Sequence, residues 1–321
     1  MSASLARPRP RLPSVSQEWL LALSILALMV VVGTINPRFV AARNLQTILL
    51  GNAYIAIAAI GMSMVIISGN IDISVGALIG VLATVSGTLA TNGWPLVLCW
   101  LAPIVLGSLV MAAMGAMVAW ARIPSIVVTL GMLSILTGGL ISVTGGKWIT
   151  DLPPGYDIGH RAALGLPLPV LLMVVLTVGA ALWLRRSAAG RSIYAIGGNA
   201  EAARLCGIAY RPTVLMTFAI HGVFVGLAAL MYATQLSVIQ STVPPTLTID
   251  VITAAVVGGV SILGGTGTVV GATLAAVLIS TIHSALAFVG ISPYWLRAIL
   301  GLMILVTVLA DIFRRRRRGA R

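Results

Sequence analysis

The stretch GRSIYAIGGNAEAARLCGI, residues 190–208, is the longest polar interval between two strongly apolar blocks, and the fold reads outward from it. It predicts an extended lead-in from Gly190 and Arg191 and then a turn at Gly197, Gly198 and Asn199, where glycine permits positive φ. A short helix follows from Ala200, ended by Gly207. Asn199 suits the N-cap. Glu201 falls in the first turn, where a negative charge complements the helix dipole, and Arg204, beyond Ala202 and Ala203, can pair with it. Ringed by Arg185, Arg186, Arg191 and Arg211, such a helix is a rigid knob on the cytoplasmic face of a membrane.

On both sides of this knob the chain is apolar. With 59% hydrophobic and 8% charged residues in 321, it lies far from the roughly one-quarter charged composition of a soluble domain. It therefore reads as an all-α, polytopic membrane protein. At about 20 apolar residues per crossing, about ten transmembrane helices are predicted, at 19–35, 44–67, 71–90, 95–120, 124–144, 167–184, 213–234, 250–263, 268–289 and 296–313. Residues 1–18 read as a disordered cytoplasmic leader, 19–313 as the membrane domain with the knob in the loop 185–212, and 314–321 as a basic cytoplasmic tail. A signal peptide at the N-terminus is excluded by the missing small-residue cleavage site and the many spans that follow.

The net charge of +13 sits at the chain ends and in one loop instead of along a face interleaved with aromatics, which argues against nucleic acid as a partner. It is better read as topology. An even number of spans with both termini cytoplasmic puts fifteen of the twenty basic residues inside and leaves Arg38, Arg43, Lys147, Arg161 and Arg297 outside, as the positive-inside rule favours. The terminal RRRRRGAR run, as the tail of a membrane helix, is expected to be an orientation anchor at the membrane lipid surface, with a nucleic-acid or acidic-lipid patch as the alternative. Cys99, in an apolar block, and Cys206, in the knob, offer neither metal spacing nor a disulfide. The longest outward loop, near 145–166, mixes aromatic and charged residues and suits either contact with another protein or plain solvation.

A faint repeat runs through the chain. SGNIDISVGA (68–77) aligns with LGGTGTVVGA (263–272), matching Gly69 to Gly264 and Val75-Gly76-Ala77 to Val270-Gly271-Ala272. Both segments fall at a Gly-rich break between spans, the kind of place where paired repeats of transporters meet. Gly264, Gly265 and Gly267 mark the second break.

Glu201-Ala202-Ala203, with three residues before Gly207, resembles the EAA---G signature of permease subunits of ATP-binding-cassette (ABC) importers. The full 190–208 stretch is similar to the branch that carries ribose, xylose, rhamnose and the autoinducer-2 signal. NIDISVGAL (70–78), IPSIVVTLG (123–131) and GGVSILGGTGTVVGA (258–272) stand in that branch's order, and GGKWI of the outer loop leans toward autoinducer-2. The resemblance implies a second permease subunit, identical or paralogous, two cytoplasmic ATPase subunits that take the knob, a periplasmic substrate-binding protein, and the inner membrane as location. In that family a Glu commonly stands two residues before the aspartate at 250; Thr248 occupies the place here, so no role of that carboxylate carries over.

Chemistry-bearing residues are few. No phosphate loop, zinc-binding His pair, nucleophile elbow or cofactor box is present, so the chain is expected to be a non-enzymatic subunit that hydrolyses no ATP and needs no cofactor. An ion-coupled secondary transporter, the rival reading, needs carboxylates deep in the membrane. Asp72 and Asp250 are the candidates, and helix capping is the simpler expectation for each. His221 and His283, inside apolar helices, are each expected to make an interhelical hydrogen bond. For a neutral sugar path, hydroxyl-bonding candidates are Asn52, Ser68, Asn70, Ser74, Thr129 and Thr137, any of which could instead bond its own backbone.

Overall fold

The computed structural model describes residues 16–242 and 246–319, with side chains through Phe313; the expected leader up to Val15 and the last two residues of the tail lie outside the described residues. The helices are α1 (Gln17–Ile35), α2 (Ala42–Gly51), α3 (Ala53–Ile67), α4 (Val75–Thr91), α5 (Leu96–Trp120), α6 (Ser125–Thr144), α7 (Leu168–Arg186), α8 (Ala188–Gly198), α9 (Ala200–Leu205), α10 (Tyr210–Gln235), α11 (Leu247–Val257), α12 (Val269–Val289) and α13 (Trp295–Gly319). Among the described residues one tight hairpin pairs Ala162–Ala163 with Leu166–Pro167. The all-α expectation holds.

Among the described residues these helices make eight stretches long and apolar enough to cross a membrane, α2 and α3 together forming one of them over 42–67. The third and eighth predicted spans are shorter. Helix α4 starts only at Val75, because residues 68–74 are unwound, and α11 has 11 residues, about half a bilayer core at 1.5 Å per residue. Each short helix adjoins one of the Gly-rich breaks.

At the centre stands α3, apolar on every side and buried from Ile55 to Ile67. Helix α10 packs beside it and against α5, where glycines replace side chains: a Cβ on Gly222 would strike the Gly107 carbonyl, and one on Gly226 the Pro103 carbonyl. Between lipid-embedded helices there is little hydrophobic drive to associate, so this backbone approach supplies the dispersion contact that holds the pair. Helices α1, α6 and α13 lie at the periphery with most of their surface open. Their backbones are satisfied internally, so lipid can cover them.

The start of α1 belongs to the folded body. Gln17 Nε2 donates to the Val257 carbonyl at 3.0 Å, and Glu18 accepts from the hydroxyl of Thr268, the N-cap of α12, at 2.7 Å. At the other end α13 runs through the basic segment to Gly319.

Candidate functional site

The knob differs from its expected form in two respects, its lead-in and its turn. No extended lead-in exists: Ala188–Gly198 is helix α8, opened by Ser187, whose Oγ accepts from Gly190 N at 2.8 Å. The reason is periodicity, since Gly190, Ile193 and Ile196 recur every three residues and form one buried face. Gly190 packs there against Leu184, while Arg191 reaches back to the Arg186 carbonyl. Gly197 and Gly198 complete the last helical turn without positive φ, and Asn199 alone, at φ −162° and ψ 104°, makes the corner. Its side chain caps α9, accepting from Ala202 N at 3.0 Å. Glu201 and Arg204 pair at 2.8 Å but are 69% and 70% exposed, so this pair adds little stability. Ala203 seats the helix, and Gly207 at φ 81° ends it.

Gly197 serves close approach. A Cβ at this position would collide with the Ile67 carbonyl at the end of α3 and with Gly265 N in the second break, whereas Gly198 faces open space. The two breaks also touch each other. Gly265 N donates to the Ile67 carbonyl at 2.8 Å, and a Cβ on Gly264 would lie 3.0 Å from Gly69 Cα. Gly69 and Gly264, matched in the repeat, both adopt the left-handed conformation, at φ 82° and 79°. Gly265 and Gly267 follow at φ 75° and 147°. From α8, Tyr194 donates its hydroxyl to the Gly267 carbonyl at 2.9 Å; burial pushes this phenol's pKa up and keeps it a neutral donor. The end of α8 and both breaks thus form one interlocked body.

Beyond Gly69 the first break enters the bundle and is held residue by residue. Ile71 N donates to Ser125 Oγ of α6 at 3.2 Å. Asp72 is fully buried: one carboxylate oxygen accepts from Ser74 N at 2.8 Å and Ser74 Oγ at 2.6 Å, and the other lies 3.1 Å from His221 Nε2 of α10. Thr248 of α11 donates to the Ile73 carbonyl at 3.3 Å and accepts from Gly76 N at 3.1 Å. Asp72 does not cap α4, because Ser74 holds the N-cap position and Asp72 instead folds back on Ser74 within the break; His221, expected to bond another helix, bonds this carboxylate of the unwound break. Thr248 was not anticipated; where the resembled family has a carboxylate, its hydroxyl ties α11 to the end of the break and the first turn of α4. Two further expectations fail. Asp250 does not cap α11, because Thr246 occupies the N-cap, and Asp250 sits in the first turn with a bond from Thr246 and Arg297 nearby. His283 is exposed on α12 and makes no interhelical bond among the described residues.

The six candidates for a substrate path are not gathered into one site. Ser68, Ser74 and Thr129 bond within their own segments, Ser68 to the Val65 carbonyl at 2.7 Å and Thr129 to that of Ile126 at 3.3 Å. Asn52 sits at the α2–α3 joint beside Ser280, and Thr137 is half-buried on α6. Asn70 donates to Ser68 Oγ at 3.0 Å and lines a cavity of about 1040 Å³. This cavity opens between the first break, the α5–α6 turn and α9, with Arg122, Arg204 and Arg211 at its rim. At the opposite end, the 145–167 segment is fastened down. Ile149 pairs with Ile239 as an antiparallel bridge, and the buried Tyr156 hydroxyl lies 2.8 Å from Ser86 Oγ, burial pushing this phenol up to about 12. Among the described residues no cluster of His, Cys, Asp or Glu could hold a metal.

Residues 44–308 match the family model described as branched-chain amino acid transport system / permease component. The chain belongs to this permease family. Among similar proteins, the autoinducer 2 import system permease protein LsrC of Enterobacter sp. (strain 638) is 35% identical over 292 residues, covering 90% of this chain and 84% of that protein. LsrC of Yersinia enterocolitica is 37% identical over 300 residues, covering 92% and 82%, and LsrC of Salmonella typhimurium 34% identical over 290 residues, covering 90% and 84%. No solved structure matches. The match to the permease family spans both breaks, the knob and the junction around Asp72, so the geometry above is that of a permease body.

Proposed function

We propose that this permease is the membrane subunit of an ABC importer that carries a sugar or sugar-like signal, autoinducer-2 before ribose or rhamnose, across the bacterial inner membrane. Both termini face the cytoplasm. Its partners are two ATPase subunits, a second permease subunit, identical or paralogous, and a periplasmic binding protein. The observation that carries the reading is the close approach of Gly197 to the Ile67 carbonyl and Gly265: an element poised to receive an ATPase is built into both breaks. Substrate class follows from the resemblance of the 190–208 stretch and from the LsrC relatives. ATP closure of the ATPase pair moves α9, and through the interlocked body the helices exchange inward-open for outward-open packing. The energy comes from the different affinity of nucleotide for the two states, not from the permease alone.

The test is reconstitution. The purified chain in liposomes is expected to hydrolyse no ATP and to concentrate no substrate under a proton or sodium gradient. With its ATPase and binding-protein partners it is expected to take up autoinducer-2 when ATP is supplied, in preference to ribose and rhamnose. Gradient-driven uptake by the chain alone would overturn the reading in favour of an ion-coupled carrier, with Asp72 and Asp250 as its coupling carboxylates.

A further inference from the structure

Three consecutive residues of the first break are each tied to a different helix: Ile71 to Ser125 at the start of α6, Asp72 to His221 in α10, and Ile73 to Thr248 in α11. One of these helices has a distinct origin. Helix α10 follows α9 after only the four residues Cys206-Gly207-Ile208-Ala209, so any displacement of α9 enters α10 directly. His221 lies 11 residues above Tyr210, about 16 Å along the helix axis. Just beyond His221, α10 is braced on α5 by the Gly107–Gly222 and Pro103–Gly226 approaches, which hold the two backbones too close to slide independently there.

We propose that the His221–Asp72 hydrogen bond is the strut through which movement of α9 reaches the first break, making His221 a positioning residue for transport. This rests on the importer reading above. The geometry suits the task. Both side chains are fully buried, so neither bond partner can be replaced by water without opening the bundle. Asp72 already takes two bonds from Ser74 on its other oxygen, which orients the free oxygen toward α10 and marks the carboxylate as an acceptor. Nε2–H of His221 is then the donor. Its Nδ1 is buried and has no partner among the described residues, and the ring packs against Gly61, where a Cβ would lie 2.6 Å from Nδ1. The imidazole has room for this single bond only, which is the behaviour of a fixed link and not of a relay. A buried acceptor left without its donor is strained in every state, whereas a donor that follows α10 allows the break to move with it.

The experiment compares substrate moved per ATP hydrolysed, with radiolabelled autoinducer-2 and the full complex of permease, ATPase and binding protein in liposomes. His221→Leu keeps side-chain volume but removes the donor; it is expected to retain ATP hydrolysis and complex assembly while lowering transport per ATP by about tenfold, within the range of a single coupling link. His221→Gln can still reach Asp72 with an N–H and is expected to recover most of the loss. A structural role would reduce assembly, hydrolysis and transport together and leave their ratio unchanged, which would refute the strut. A His221→Leu protein with wild-type coupling would also refute it. Should the Leu variant not assemble, His221→Asn, whose amide is too short to reach, gives the same comparison with the same two outcomes. Absence of ATP-driven uptake in the wild-type complex would refute the importer reading itself and the strut with it.

Discussion

Two adjacent glycines in the knob have different reasons to be glycine. Both are helical, so conformational freedom does not distinguish them; contact does. A methyl group on Gly197 would enter the Ile67 carbonyl and the Gly265 amide, atoms that already bond each other at 2.8 Å, while a methyl group on Gly198 would meet nothing. Gly197→Ala is therefore expected to separate α8 from the breaks, with transport lost and thermal stability lowered by an amount like that of overpacked cores, about 1–3 kcal/mol. Gly198→Ala is expected to leave transport intact and to raise helix stability slightly, by up to about 1 kcal/mol. Measuring uptake and melting temperature for both variants decides the matter; equal effects would remove the close-approach argument. The pattern Gly-Gly-Asn was legible as special, but its usual meaning is a positive-φ turn. Only a neighbour 130 residues away in the chain tells a contact glycine from a propensity-lowering one.

The element that most rewards the sequence repeat is the second break. Gly264, Gly265 and Gly267 all have φ between 75° and 147°, where a β-branched residue is sterically excluded. Two of them also face glycines, Gly264 against Gly69 and Gly265 against Gly198 and Gly197. Replacing the three with Val is expected to abolish uptake while the affinity of substrate for the free binding protein stays unchanged; near-normal uptake would reduce these positions to ordinary packing. The break itself was visible, since no other apolar stretch carries Gly at such density with a partner 195 residues away. Helix α8 was not visible, because Gly190, Gly197 and Gly198 in an 11-residue segment lower helix propensity and hide a face that burial stabilises. Thr248 and Ser125 were equally hidden. A single hydroxyl in an apolar helix carries no periodic signal, and its default partner is the carbonyl one turn back.

For the whole molecule, the two cysteines report topology. Cys206 is exposed beside α9 and Cys99 is fully buried in α5. An exposed thiol can ionise and react, and a buried one stays protonated. A membrane-impermeant maleimide is expected to label Cys206 in inside-out vesicles and not in right-side-out ones, with slower labelling once the ATPase subunit is added and restored labelling for Glu201→Lys, whose positive charge opposes the α9 dipole. Labelling from the outer face would invert the assigned orientation. Labelling from inside that the ATPase never slows would leave orientation standing and remove the docking role of residues 199–207. What the sequence determined by itself was the membrane class, the order of ten apolar elements, the capped knob with its Glu201–Arg204 pair, and the two breaks, because hydropathy, charge placement and capping act over a few residues and leave their mark locally. What the tertiary structure alone decided was that the knob's first half is helical, that it locks both breaks, and that Asp72, separated from His221 by 149 residues, has it as a partner. Those facts depend on which backbones approach within a hydrogen bond of each other, and in a membrane, where apolar surface points nowhere in particular, that choice is made by shape and buried polar pairing across the whole bundle.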